Sequence, residues 1–337
     1  MALFSTKRSR SPDVVVITGA SSGIGRATAH SFAARGARLV LAARRAQILR
    51  EVVHECEKLG AEAIAVPTDV TDAEAVSNLA QAAMDAFGRI DVWVNNAGTG
   101  VFGPYTEARI ELHRQVIEIN LLGTMYGAAA VVPIFLRQGH GVLINNISMG
   151  GWAPTPFAAA YTASKFGLRG FTASLRQELK DHADIHVCAV FPSIIDTPGF
   201  VHGANVSGRA LELSGVVYPP EDVAEKIVGL VDWPRDEVAV GWPARAGQVA
   251  YALLPGPTEH IMGAAMRRFL RHASPAPRTE GAVMRPVDRG ATVSGGLRAN
   301  GGARGRGGRY LGLALAAAAL GIGAAVTAGA LPARQRR

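Results

Sequence analysis

A tyrosine and a lysine four residues apart, in the run YTASKFGLRGFTASLRQEL at 161–179, form the pair in this chain best suited to proton transfer. Alone, a tyrosine titrates at about pH 10 and a lysine slightly above it, so neither exchanges protons readily near neutrality. The i, i+4 spacing sets Tyr161 and Lys165 on one helix face. A cation within about 4–6 Å favours the phenolate, so Lys165 is expected to lower the pKa of Tyr161 and make it a donor or acceptor nearer working pH.

A second group of residues suits an anion. TGASSGIG, residues 18–25, stands where an apolar run hands over to the helical pattern RATAHSFAARG. Gly19 can take a turn conformation closed to other residues, Gly23 lets backbone approach a phosphate, and Gly25 lets the helix pack on the strand. The helix start then offers free N–H groups and its positive dipole end. The second apolar run ends in LAARRAQ, where Ala43 takes the place of the acidic residue of NAD-selective sheets and Arg44 and Arg45 follow. Arginine there accommodates a 2′-phosphate, so NADP (NADPH) is the expected cofactor and NAD the less favoured one. Ser148 follows the run GVLINNI; a hydroxyl at that strand end can donate to a substrate oxygen as it gains charge.

These residues meet only if the chain carries them to one edge of a sheet. Apolar β-rich runs at 13–18, 37–43, 62–67, 90–95, 141–147, 185–191 and 237–241 alternate with helical patterns. Their nearly continuous apolar character fits strands buried on both faces. The expected fold is α/β: a Rossmann-like doubly wound parallel sheet of about seven strands, order 3-2-1-4-5-6-7, over residues 13–242. A C-terminal helical extension follows at 243–273, two amphipathic patterns broken by PGP.

The chain has 337 residues, 48% of them hydrophobic, which suffices for a real core and excludes a wholly disordered or fibrous protein. Cys56 and Cys188 fall in apolar patterns without a metal-ligand cluster nearby, and read as core packing in a reducing compartment. No metal is expected. The net charge of +8 belongs to the tail, since residues 274–337 carry ten arginines against Glu280 and Asp288 while the body is formally neutral. No nucleic-acid partner is expected of such a body. Residues 1–12 are polar and basic and lack the apolar stretch of a secretory signal.

Residues 274–309, rich in Pro, Gly, Arg and Ser, read as a disordered linker. The following stretch, 310–331, contains LGLALAAAALGIGAAVTAGAL without a charge, long enough to cross about 30 Å of hydrocarbon, and a basic tail ends the chain at 332–337. It is a candidate membrane anchor for a cytoplasmic catalytic domain, although its Ala and Gly content also fits a peripheral or disordered tail.

Taken together, TGASSGIG at 18, DV at 69, NNAG at 95, Asn120 in EIN, Ser148 in NIS, YTASK at 161 and FPSIIDTP at 191 resemble the short-chain dehydrogenase/reductase family in order and spacing, over roughly 13–242. The pattern departs from the family's usual Pro-Gly at Pro192-Ser193. The resemblance implies that Ser148, Tyr161 and Lys165 are catalytic with Asn120 as a fourth member, orienting water that relays protons to Lys165. It implies that Gly19, Ser21, Ser22, Gly23, Ile24 and Gly25 cradle the cofactor, that Asp69 and Val70 border its adenine, and that Asn96, Ala97 and Gly98 line its floor. Lys165 would also hold the nicotinamide ribose, and Pro192, Ile195 and Thr197 would lie at the nicotinamide end, Thr197 at the carboxamide.

The implied activity is NADP(H)-dependent interconversion of a small-molecule carbonyl and its alcohol, by a homo-oligomer. Residues 193–220 are expected to form a mobile lid over a lipophilic substrate, with Trp152, Phe157, Phe200 and Val201 as walls or as packing. A non-catalytic NADP-binding sensor or scaffold is the other reading, and it has no evident need of Ser148, Tyr161, Lys165 and Asn120 together.

Overall fold

The computed structural model describes residues 13–211 and 216–297. The N-terminal basic segment and the apolar 311–331 stretch both lie outside them. In chain order the strands are β1 (Val14–Thr18), β2 (Arg38–Ala43), β3 (Glu62–Pro67), β4 (Val92–Asn95), β5 (Val101–Phe102), β6 (Gly141–Asn146), β7 (Ile185–Pro192), β8 (Ala204–Asn205) and β9 (Glu237–Val240). Seven of them form one sheet in the order β3-β2-β1-β4-β6-β7-β9, every pairing parallel. The expected topology is therefore the observed one. The addition is a small parallel ribbon of β5 on β8.

The crossovers are α1 (Gly23–Ala33), α2 (Ala46–Lys58), α3 (Ala73–Phe87), α4 (Ile110–Ile117), α5 (Gly123–Gln138), α6 (Ala159–Glu178), α7 (Gly199–His202) and α8 (Pro220–Asp232). Side chains alternate across a strand, so Val15, Ile17, Leu39 and Leu41 meet Phe32, Leu49 and Ile227 of α1, α2 and α8 on one face. Val16, Val40, Trp93 and Leu143 meet Leu79 of α3 and Val131 and Phe135 of α5 on the other. Leu39 is wholly buried. Leu39→Ala is expected to cost about 3 kcal/mol in urea denaturation; a loss under about 1 kcal/mol would mean that this face is not close-packed.

Cys56 and Cys188 are both buried, and burial pushes their thiols up to about 12 and about 11, so both are inert packing residues. Residues 110–138 make the one helical run among the described residues that is long and apolar enough to cross a membrane. It is α4 continuing into α5, half of it buried, with Val131 and Phe135 seated on the sheet.

The C-terminal extension is helical, as α9 (Trp242–Leu253) and α10 (Pro255–His272). PGP does not separate them but opens α10, because a first-turn N–H has no intrahelical partner and proline loses nothing there. The segment expected to be disordered at 274–309 also differs over its described part. Residues 274–297 run back along the domain, with Thr279 and Asn205 exchanging backbone bonds (2.9 and 2.8 Å) and Val283 wholly buried. Its few apolar residues suffice because its polar groups find partners on the domain.

Candidate active site

The carboxyl ends of β1, β4 and β6 meet where the strand order reverses, the edge at which open α/β sheets take ligands. Thr18, the last residue of β1, accepts bonds on its hydroxyl from the amides of Asn96 (3.0 Å) and Ala97 (3.2 Å), which stitches the glycine loop to the NNAG segment. Gly19 turns with φ +66°, and a Cβ there would stand 2.8 Å from Ala97 Cα. A Cβ on Gly25 would overlap the Gly19 carbonyl oxygen, so this glycine is what lets α1 start against the loop. The first turn of α1 has neither an acidic residue nor a side-chain cap. Arg44 and Arg45 stand at the end of β2, and Arg45 reaches Ser21 Oγ at 2.9 Å.

Ser148, just past β6, has φ +138°. A side-chain-bearing residue in that region carries roughly 1–3 kcal/mol of strain, which persists where the surroundings fix it. Here the Gly150 amide donates to Ser148 Oγ at 3.1 Å. Helix α6 then presents Tyr161 and Lys165. Lys165 Nζ lies 5.7 Å from the Tyr161 ring centroid and donates to Asn146 O at 3.3 Å. Lys165 is 5% exposed, and burial lowers its pKa to about 8.

The phenol behaves otherwise than the spacing suggested. Burial raises the pKa of Tyr161, and a hydrogen bond with Ser148 partly offsets it. Desolvation of the phenolate is the largest influence on it, and Lys165, its Nζ bonded to Asn146 O, does not offset that.

Asn120 lies in a π-helical turn at Glu118–Leu122 between α4 and α5, a local widening common at functional sites. Its side-chain oxygen accepts from Thr99 N (2.8 Å), and its amide donates to Thr99 O (2.9 Å) and Ser164 Oγ (2.9 Å). Ser164 in turn donates to Tyr161 O at 2.7 Å. The Asn120 side chain thus ties the loop at Thr99 to the turn of α6 that carries Tyr161.

One cavity of about 500 Å³ gathers the site. Of the site residues read from the sequence, all line it except Gly25, which packs behind the loop, and Asn120, which is buried behind Thr99. Ser193 substitutes for the family's glycine without entering the left-handed region.

Of the expected substrate walls, only Phe200 lines this cavity. Phe157 lines a smaller neighbouring one. Trp152 is core, stacked on Phe191 with centroids 3.8 Å apart, and Val201 is half exposed. The walls missed are Phe102, Ile194 and Leu211, together with Met262, Met266 and Phe269 of α10. The spacing of the α10 residues, i, i+4, i+7, marks one helix face and was the available signal.

Three buried oxygens, Thr99 Oγ1, Asn146 Oδ1 and Ser193 Oγ, have no partner and belong to residues on the cavity wall. Such groups call for a polar ligand. With a glycine loop that a Cβ would close, they fit a dinucleotide cofactor.

This sheet edge, with its glycine loop and its Ser-Tyr-Lys cluster on a shared cavity, defines an oxidoreductase of the dinucleotide-binding α/β class. The chain belongs to the short chain dehydrogenase family, whose profile matches residues 13–203. It is 37% identical over 274 residues to the uncharacterized oxidoreductase YxnA of Bacillus subtilis (strain 168), covering 80% of this chain and 77% of that one. It is 32% identical over 275 residues to dehydrogenase/reductase SDR family member 7B of Bos taurus, covering 76% and 82%.

Among solved structures, an actinorhodin polyketide ketoreductase with NADPH superposes with a TM-score of 0.62 at 31% identity, over 68% of this chain and 95% of that one. A metagenomic short-chain oxidoreductase in complex with NADP gives 0.58 at 33% identity, over 69% and 98%.

Proposed function

We propose that the protein is an NADP(H)-dependent carbonyl reductase in which Tyr161 is the proton donor and the substrate is lipophilic. The observation that carries the reading is the convergence of Ser148, Tyr161 and Lys165 on the cavity that the glycine loop and Arg44–Arg45 also line. NADPH, when bound, supplies a hydride to the carbonyl carbon. Tyr161 gives its proton to the oxygen that becomes charged, while the Ser148 hydroxyl donates a hydrogen bond to the same oxygen. Lys165, held over Asn146 O, would hold the nicotinamide ribose. A phenol whose pKa is raised keeps its proton at neutral pH, which suits reduction over oxidation.

The substrate class rests on the walls. Phe102, Ile194, Phe200, Leu211, Met262 and Met266 give the cavity an apolar end, and flexible methionines tolerate varied shapes. NADPH consumption across a panel of aliphatic and aromatic aldehydes and ketones, graded from charged to apolar, tests the reading. Turnover of the apolar members is expected; preference for charged ones would overturn the substrate class, and none with any carbonyl would favour the sensor.

Cofactor choice has its own test. Arg44 and Arg45 stand where a 2′-phosphate would meet them, and two charge-assisted bonds together contribute about 3 kcal/mol, roughly hundredfold in affinity. The Arg44→Ala, Arg45→Ala double variant is expected to lose that preference for NADPH over NADH in equilibrium binding. A ratio unmoved by more than threefold would place the 2′-phosphate elsewhere.

A further inference from the structure

Three of the donors that would hold the cofactor's phosphates, the Gly23 amide and the Arg44 and Arg45 guanidinium groups, are already engaged by the chain itself. The Gly23 amide, at the start of α1, donates to Thr292 O at 2.9 Å. Arg44 donates to Ala282 O at 2.6 Å, and Arg45 to Val287 O (3.1 Å) and Arg289 O (3.3 Å). Arg26, paired with Glu55, also donates to Ala291 O. The five carbonyls of Ala282, Val287, Arg289, Ala291 and Thr292 belong to one short segment, and Pro286 and Val287 of that segment stand on the wall of the cavity.

The segment is fixed at both ends. Toward its start, Ala282 N donates to His202 O at 2.7 Å, and Val283 is buried beside Val101, Leu112 and Val116. Toward its end, the Asp196 carboxylate accepts from Ser294 Oγ and Leu297 N, both at 2.7 Å, next to Thr197. The ion pairs Arg109–Glu280 and Arg278–Glu107 are exposed and contribute little.

We propose that residues 282–297 are an intramolecular occupant of the phosphate-binding donors, so that this segment and NADP(H) exclude one another. This rests on the NADP reading of the same groove. Carbonyl oxygens stand where phosphate oxygens would, with the Asp288 carboxylate acting on Arg45 from the same segment, and the several anionic charges of a dinucleotide bind the guanidinium groups more strongly, so a dinucleotide displaces the segment at sufficient concentration. The segment lies beyond residues 13–203, the part matched by the family profile, so the device is a feature of this chain's C-terminal region. Coupling between sites is reciprocal. Cofactor loading therefore loosens 282–297, and holding the segment down weakens cofactor binding.

Hydrogen exchange on the full-length chain reads this directly, with NADP+ as the probe. The amides of Ala282, Gly295 and Leu297, each bonded to the domain, are expected to exchange about tenfold faster when NADP+ saturates the protein. Val283→Asp, at a position off the cavity wall, removes the segment's buried anchor and is expected to tighten NADPH binding about tenfold, measured by nucleotide fluorescence on chains with unchanged melting of the domain.

Binding of NADP+ with those amides equally or better protected, or a Val283→Asp chain that binds no tighter, would overturn self-occupation while leaving the cofactor reading intact. Binding to neither chain would overturn both.

Discussion

Tyr161→Phe is expected to lower kcat for carbonyl reduction by roughly 10³-fold, the middle of the range for a positioned general acid. The substitution removes one oxygen and keeps the ring, so the packing near Gly100 and Gly150, where an added Cβ would stand 3.4 and 3.1 Å from the ring, is preserved. No neighbour takes over the proton. Ser148 carries an ordinary hydroxyl, and Lys165 Nζ is directed at Asn146 O. NADPH affinity is expected to stay within about twofold, since a phenol acting as proton donor would contribute in the transition state and not in ground-state binding. Single-turnover mixing of enzyme and NADPH with the best panel substrate separates the two quantities. Retention of more than a tenth of wild-type kcat would remove Tyr161 from the chemistry.

The second large effect belongs to Lys165 and is a pH effect. Its pKa is lowered to about 8 because an ammonium held almost out of water is costly. The sign follows: the side chain is charged below that value and loses its proton as pH rises through it, while the raised phenol of Tyr161 stays protonated across the same window. With NADPH as the varied substrate, kcat/KM reports the free enzyme, and it is expected to be flat below about pH 7 and to fall about tenfold per unit above 8.

Lys165→Met is expected to lower kcat/KM roughly 10²-fold at pH 7 and to abolish that descending limb. Its NADPH Kd should lose the same pH dependence. A limb in the variant unchanged from wild type would assign the titration to another group.

The positions of charge and of positive φ explain why the sequence carried so much of this site. Glycines at 19, 23 and 25 are needed by the chain geometry wherever a strand turns tightly into a helix against an anion, so their spacing is visible in one dimension. The i, i+4 interval of Tyr161 and Lys165 is likewise local and survives any tertiary context. The sheet order was legible because seven apolar runs separated by helical crossovers leave few right-handed arrangements. The apolar character of Trp152 and Val201 was not enough to place them, because core packing, pocket walls and exposed loops all use such residues.

What the amino-acid order determined by itself was therefore the local chemistry: a glycine loop, two arginines at a strand end, a phenol and an ammonium on one helix face. Tertiary structure decided what those groups experience. It buried Lys165 so that it titrates near 8 and raised Tyr161, contrary to the pull that spacing alone suggests. It tied Asn120 to Thr99 and Ser164 through a π-helical turn and brought α10 over the cavity beside Tyr161 and Lys165, far from them along the chain. It also laid 282–297 across the phosphate donors. Desolvation and long-range contact depend on which distant segments cover a group, and no interval along the chain encodes that.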